Sequence, residues 1–193
     1  MRIYHGTNVD FDTIELSKLL PYKDFGRGFY LTEIYDQARK MAERKMLSNG
    51  GKIIIQTYEF DEMILNSNKL NVLKFESPIP EWAEFIFKNR SIVLAIDNDS
   101  ITPPRRLRRG GRGERSDHTV NNHSQNNKSQ NYHHAYDIII RPVADDGVVF
   151  LMNQYRDGAI TLRQMARMLR YKNLTNQYCF CTDRALTFLR RIQ

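Results

Sequence analysis

KDFGRGFYLT, residues 23–32, sets Gly26 and Gly28 among Phe25, Phe29 and Tyr30. Phe29-Tyr30-Leu31 is apolar and β-prone and reads as a strand, while the two glycines upstream read as a loop that feeds it. Because neither glycine carries a Cβ, the backbone on both sides of Arg27 can approach a phosphate or a ring closely. Tyr30 offers a flat face to a heterocycle, and Arg27 offers a forked cation to a pyrophosphate. The same residues also describe a glycine turn backed by core aromatics. They do not spell G-x-G-x-x-G between a strand and a helix, so a Rossmann dinucleotide fold is rejected.

Working outward from this stretch, Ile3-Tyr4-His5 reads as a short first strand that ends at Gly6-Thr7. A histidine beside a glycine leaves the adjacent amide and carbonyl open, which suits a primary carboxamide; the imidazole suits a ribose hydroxyl. On the other side Thr32 is placed to cap a helix. Ile34, Ala38, Met41 and Ala42 fall at helical spacing through about Leu47, and Gly50-Gly51 stops it. Residues 53–60 are β-rich. Residues 80–90 predict a short amphipathic helix carrying Trp82, Phe85 and Ile86.

The composition changes near Asn98. Between Asp99 and His134 stand seven Lys or Arg against three acids, Asp99, Glu114 and Asp117, with hardly an apolar residue. Such a segment buries too little apolar surface to offset the entropy of ordering it, so 98–134 reads as a disordered, low-complexity basic insertion inside a single domain spanning 1–193. Order resumes at Ile138-Ile139-Ile140, a buried strand. A helix follows at 148–155, and a second starts at Thr161, where Gln164 completes a capping-box pattern. Residues 174–180 read as a strand. Ala185, Phe188, Leu189 and Ile192 line one face of an expected terminal helix. Strands and helices alternate irregularly, which indicates an α+β fold.

The formal charge of +7 favours an anionic partner: a dinucleotide, a nucleic acid or an acidic protein face. No run of 18 apolar residues occurs, so no membrane partner is expected, and a soluble, cytoplasmic protein is the simplest reading. Cys179 and Cys181 would share one face of a strand, poorly placed to bridge each other, in keeping with a reducing compartment. Asp145-Asp146 fits either a helix N-terminus or a metal or acid–base pair, with capping favoured. His118, His123, His133 and His134 lie in the insertion without paired cysteines, so no metal site is expected. Gln177, at the start of an apolar strand, either projects into a cleft or bonds a neighbouring loop.

Taken together, His5 in YHGT, Tyr30 in FGRGFYLT and Gln177 in TNQYCF resemble the three separated motifs of ADP-ribosyltransferases of the diphtheria-toxin and PARP-like, His-Tyr-Glu class. More closely, the chain is similar to a bacterial family of that superfamily, long catalogued as a domain of unknown function, whose members look like toxins of toxin–antitoxin or defence loci. KDFGRGFYLT, QARKMAERK, QTYEFDE, EWAEFIFKNR, YDIIIRPVADD and LTNQYCFCTDRALTFL carry the likeness over 1–97 and 135–192. The resemblance implies a split antiparallel β-sandwich with flanking helices and NAD, as substrate, in the cleft between its halves. It implies catalytic roles for His5, Tyr30 and Gln177: His5 on the adenosine-distal ribose, Tyr30 stacked on the nicotinamide ring, and Gln177 at the superfamily's glutamate. It places Gly6 on the carboxamide, with Thr7, Phe25, Gly26, Arg27 and Gly28 completing the binding set.

The sequence departs from the pattern twice. Gln177 is neutral, so it can hydrogen-bond the ribose 2′-hydroxyl but cannot be a general base; mono-transfer is favoured over polymer formation. The basic insertion stands where the family has a short linker. The expected function is mono-ADP-ribosyl transfer to a protein or nucleic-acid acceptor, by an intracellular toxin or modifier with a possible cognate antitoxin. The alternatives are an NAD glycohydrolase and a catalytically silent NAD-binding module.

Overall fold

A computed structural model of the chain describes residues 1–21, 23–77, 79–99, 134–142, 147–169 and 176–192, the backbone alone for 91–99 and 142. Strands β1 (Arg2–Thr7), β2 (Phe29–Thr32), β3 (Ile54–Phe60), β4 (Val72–Lys74), β5 (Ile138–Pro142), β6 (Asn176–Phe180) and β7 (Leu189–Arg191) form one sheet. Helices α1 (Tyr35–Asn49), α2 (Pro80–Asp99), α3 (Val148–Arg156), α4 (Leu162–Met168) and α5 (Asp183–Leu186) accompany it, so the fold is α+β.

The strand order is β4-β5-β6-β2-β1-β3-β7. The sheet is mixed rather than purely antiparallel, because β4 and β5 run parallel, with Val72 opposite Ile138 and Lys74 opposite Ile140. A parallel return needs a long crossover, which α2 and the chain beyond it provide. The sheet also curls. A flat sheet would hold β6 and β3, three strands apart, about 14 Å from each other at the usual strand spacing. Instead the Phe180 and Phe60 rings meet edge to face at 5.3 Å. Phe29 on β2 likewise reaches Tyr58 on β3 at 5.5 Å.

The curl gives two cores, sorted by the period of two along each strand. Ile138, Ile140, Tyr178, Phe180, Phe29, Leu31, Ile3, Tyr58 and Phe60 fill the concave core between the halves of the sheet. The alternate residues Ile139 and Cys179 face a second core with Trp82 and Ile86 of α2, Leu151 and Met152 of α3, and Met165 of α4. Ile138, Ile139 and Ile140 are all buried, which explains their unbroken apolar run.

Several helix ends form as the local chemistry requires. The Thr161 hydroxyl accepts from the Gln164 amide N–H at 3.3 Å, and the Gln164 side chain accepts in return from the Thr161 N–H at 2.7 Å. Thr32 does not itself cap α1; its hydroxyl accepts from the Ile34 N–H at 3.2 Å and donates to Gln37 at 2.7 Å. Helix α2 is longer than its expected 80–90. The expected terminal helix is replaced by the single turn of α5, followed by β7 on the edge of β3. Thr182 caps that turn by accepting from the Ala185 N–H at 3.2 Å. Phe188, in the turn, and Leu189, in β7, then pack on the concave core. Among the described residues no helix is long and apolar enough to cross a membrane.

Candidate functional site

The sheet has a seam. Strands β1 and β3 pair over six residues and β2 and β6 over four, whereas β1 and β2 share one pair, Tyr4 with Thr32. Beyond that pair no ladder pairing joins the two strands, and His5 and the Tyr30 carbonyl meet there. The His5 Nδ1 lies 2.8 Å from the Tyr30 carbonyl oxygen. A carbonyl only accepts, so Nδ1 carries the proton and Nε2 presents a lone pair. That lone pair faces Lys45 Nζ of α1 at 3.4 Å, and Lys45 also donates to the Gly6 carbonyl at 2.8 Å. The His5 ring stacks on Phe29, 4.4 Å between centroids. Burial, with the Lys45 charge next, pushes His5 down to about 3, so its imidazole is neutral.

Tyr30 ties down the loop that precedes it. Its hydroxyl donates to the Gly26 carbonyl at 2.9 Å and accepts from the Phe25 N–H at 3.1 Å. Gly26 makes this turn with φ of 74°, in the left-handed region that glycine enters freely. The Tyr30 ring lies parallel to Phe25 at 5.9 Å, and Lys23 Nζ sits 5.5 Å from its centroid. Burial holds the Tyr30 hydroxyl well above its ordinary value, so it stays protonated.

The remaining residues of the expected binding set have structural partners. Gly6 is buried under α1: an added Cβ would lie 1.8 Å from the Ala38 carbonyl oxygen. Thr7 is buried and donates to the Val9 carbonyl at 3.0 Å. Gly28 is packed so that a Cβ would meet Cys179 Sγ at 2.3 Å. Arg27 donates to the Leu16 and Ser17 carbonyls and so pins the 3-10 turn at Leu16–Lys18.

Gln177 pairs with Thr32 on β2 and with Arg141 on β5. By register it shares a face with Tyr30 and Cys179, two residues along the ladder from Tyr30, and it is partly buried. On the opposite face stands a carboxylate that no motif announced. Glu33 accepts from the Tyr178 hydroxyl, and from Asn176 Nδ2 at 3.4 Å. Burial, then the hydrogen bond to Glu33, pushes the Tyr178 hydroxyl well up.

Behind Tyr30 lies an ion cluster also missed at the level of sequence. Asp24 accepts from Arg90 Nε at 2.6 Å and from Arg141 Nη2. Arg141 has no exposed surface, and its guanidinium lies 4.4 Å from the Phe25 centroid and 5.2 Å from that of Trp82. Its Nε and Nη1 have no partner among the described residues. Burial alone would raise the Asp24 carboxyl, but the charges of Arg141 and Arg90 outweigh it and hold it below the usual carboxylate range. The one available signal was an arginine inside an otherwise apolar strand.

Other expectations are located as follows. His134, at the end of the expected insertion, is partly buried: its Nε2 donates to the Phe25 carbonyl at 3.1 Å, and its ring stacks on Tyr136 at 5.8 Å. Cys179 and Cys181 are free thiols on one face, closer than expected, with their sulfurs 3.4 Å apart. Asp145, Asp146 and insertion residues 100–133, including His118, His123 and His133, lie outside the described residues.

No curated protein and no solved structure matches the chain. A family model described as "Protein of unknown function (DUF3990)" matches residues 1–190. The chain, with its seam between β1 and β2, therefore belongs to the DUF3990 family.

Proposed function

We propose that the seam between β1 and β2 binds NAD and that the chain transfers ADP-ribose from it to a macromolecular acceptor. The observation that carries this reading is a neutral, singly protonated His5 held by the Tyr30 main-chain carbonyl where ladder pairing between the two strands ends. A ribose hydroxyl donating to the His5 Nε2 lone pair takes the place of the 3.4 Å contact from Lys45, and the Tyr30 ring gives the nicotinamide a flat surface. Gln177, on the Tyr30 face of the neighbouring strand, accepts from the ribose 2′-hydroxyl through its amide oxygen. In the reaction the nicotinamide leaves with the electron pair of its bond to C1′ and becomes neutral. The acceptor nucleophile then bonds C1′ and gives up a proton. The protein orients the donor and its hydroxyls around the oxocarbenium-like state. With Gln177 neutral, the proton goes to the acceptor's own surroundings or to water, which fits mono-transfer.

The likeness to the His-Tyr-Glu class supports the assignment and suggests an intracellular toxin or modifier of protein or nucleic acid. The test is incubation of the purified chain with NAD labelled in its adenosine half, with and without a cell lysate. Label that becomes macromolecular, and is then released by protease or by nuclease, identifies transfer and its acceptor. Free ADP-ribose as the sole product would make the chain a glycohydrolase. Intact NAD after long incubation would leave a binding module without turnover. The substitution His5→Ala should abolish activity, and retained turnover would overturn the site.

A further inference from the structure

We propose that Lys23 and Lys45 together form a seat for the pyrophosphate of a dinucleotide at the mouth of the β1–β2 seam. The inference rests on the NAD reading above for its ligand but on separate residues for its evidence. Lys45 reaches over from α1 and spends two donors inside the site, on the Gly6 carbonyl at 2.8 Å and toward His5 Nε2 at 3.4 Å. Its third N–H remains for a ligand. Lys23 arrives from the other side, on the loop before β2, with Nζ 5.5 Å from the Tyr30 centroid. Two ammonium groups thus flank the two residues at the opening.

Neither is ion-paired among the described residues, although the Asp24 charge favours the Lys23 ammonium from a distance. Asp24, next to Lys23 in the chain, is taken by Arg90 and Arg141. Cys179 is no substitute, because burial pushes its thiol well up and leaves it neutral. Partial burial, then the Lys23 charge, pushes Lys45 down to about 8, so the two ammonium groups lie near enough to repel each other. An anion between them relieves that repulsion. Arg27, the alternative from the sequence, is committed to the Leu16 and Ser17 carbonyls.

The order of groups in the ligand matches the order of groups here. In a nicotinamide dinucleotide the diphosphate is joined to the 5′ carbon of the ribose that carries the nicotinamide. A ring on Tyr30 and one ribose hydroxyl donating to His5 Nε2 in place of Lys45 bring that diphosphate beside the two lysines.

The experiment is isothermal titration of the full chain with NAD, with nicotinamide riboside, which lacks phosphate, and with inorganic pyrophosphate. Wild type is compared with Lys23→Met, Lys45→Met and Lys45→Arg. Each methionine variant should weaken NAD about tenfold or more and leave the riboside within twofold of wild type. Lys45→Arg, which keeps the charge, should recover most of the NAD affinity. Lys23 is exposed, so its variant answers the question even if Lys45→Met fails to fold, which far-UV circular dichroism reports. NAD affinity within twofold of wild type in Lys23→Met and Lys45→Met overturns the seat while leaving NAD binding intact. Binding of pyrophosphate but of neither nicotinamide compound, lost in the methionine variants, supports the seat and removes NAD as its ligand. No binding of pyrophosphate or NAD by wild type overturns it.

Discussion

Replacing Asp24 with Asn leaves the buried Arg141 guanidinium without its carboxylate. The change preserves shape and one acceptor oxygen, so the loss is almost purely of charge. Arg141 has no exposed surface, two of its nitrogens already lack hydrogen-bond partners, and among the described residues it forms an ion pair with no other acid. Removing one member of a buried ion pair typically costs about 3–5 kcal/mol, and the aromatic faces of Phe25 and Trp82 offset only part of it. For a chain of this size that corresponds to a fall in Tm of roughly 6–20 °C. Trp82 is the single tryptophan and lies against the guanidinium, so its fluorescence in a urea titration reads the cluster directly. A further variant sharpens the argument. Adding Arg141→Met removes the stranded charge, and the double variant should be more stable than Asp24→Asn alone. A loss below about 1 kcal/mol in Asp24→Asn, or no recovery in the double variant, would refute the reasoning. The sign with pH follows from the same pair. The Asp24 carboxyl is held below its ordinary 3.8, so its contribution is complete above that value and is lost as pH falls below it.

Three other expectations follow from the geometry. Gly6→Ala drives a methyl into the Ala38 carbonyl of α1, a backbone group that cannot swing away, and should cost about 3 kcal/mol or more in urea unfolding. An unchanged midpoint would show that α1 does not pack as described. The His5 imidazole should show the Nδ1-protonated neutral form by nitrogen-15 NMR at every pH from about 5 to 8, since its ordinary 6.5 is pushed down to about 3. By linkage its contribution to stability is complete above 6.5 and declines as pH falls from there toward 3; a titration midpoint near 6.5 would refute the buried, Lys45-facing placement. Cys179 and Cys181 should resist an aromatic disulfide reagent in the native state and both react in urea. Fast native reaction of either thiol would contradict their burial.

The parts of the fold that were legible in the sequence are those decided locally. Thr161 and Gln164 satisfy each other's backbone within one turn, so four residues suffice to predict the start of α4. Ile138-Ile139-Ile140 is apolar without alternation because cores lie on both faces of β5, and that too reads directly. The C-terminus went the other way. Ala185, Phe188, Leu189 and Ile192 have helical spacing, but the edge of β3 offers a ladder to Leu189–Arg191, and long-range pairing overrode the local period. The site divides similarly. His5 and Tyr30 stood out because glycines flank them. Lys45, Asp24 and Glu33 acquire their roles through partners far along the chain, and a lone lysine on a helix or an acid before a turn carries no mark of that. Gly6 stood out for its uncovered backbone, and its missing Cβ also makes room for α1, which only the folded chain reveals.

The seam also changes what point substitution can do to this sheet. Elsewhere the strands are held by main-chain bonds, which every residue type except proline makes alike. Between β1 and β2 the continuity rests on one backbone pair and on an imidazole reaching a carbonyl. The joint between the two strands therefore rests partly on one side chain, His5, whose Nε2 edge Lys45 holds from α1. A substitution at His5 removes a link between β1 and β2 and leaves the ladders on either side unchanged. In mechanical language, His5 is a rivet across a joint that the core beneath it also holds.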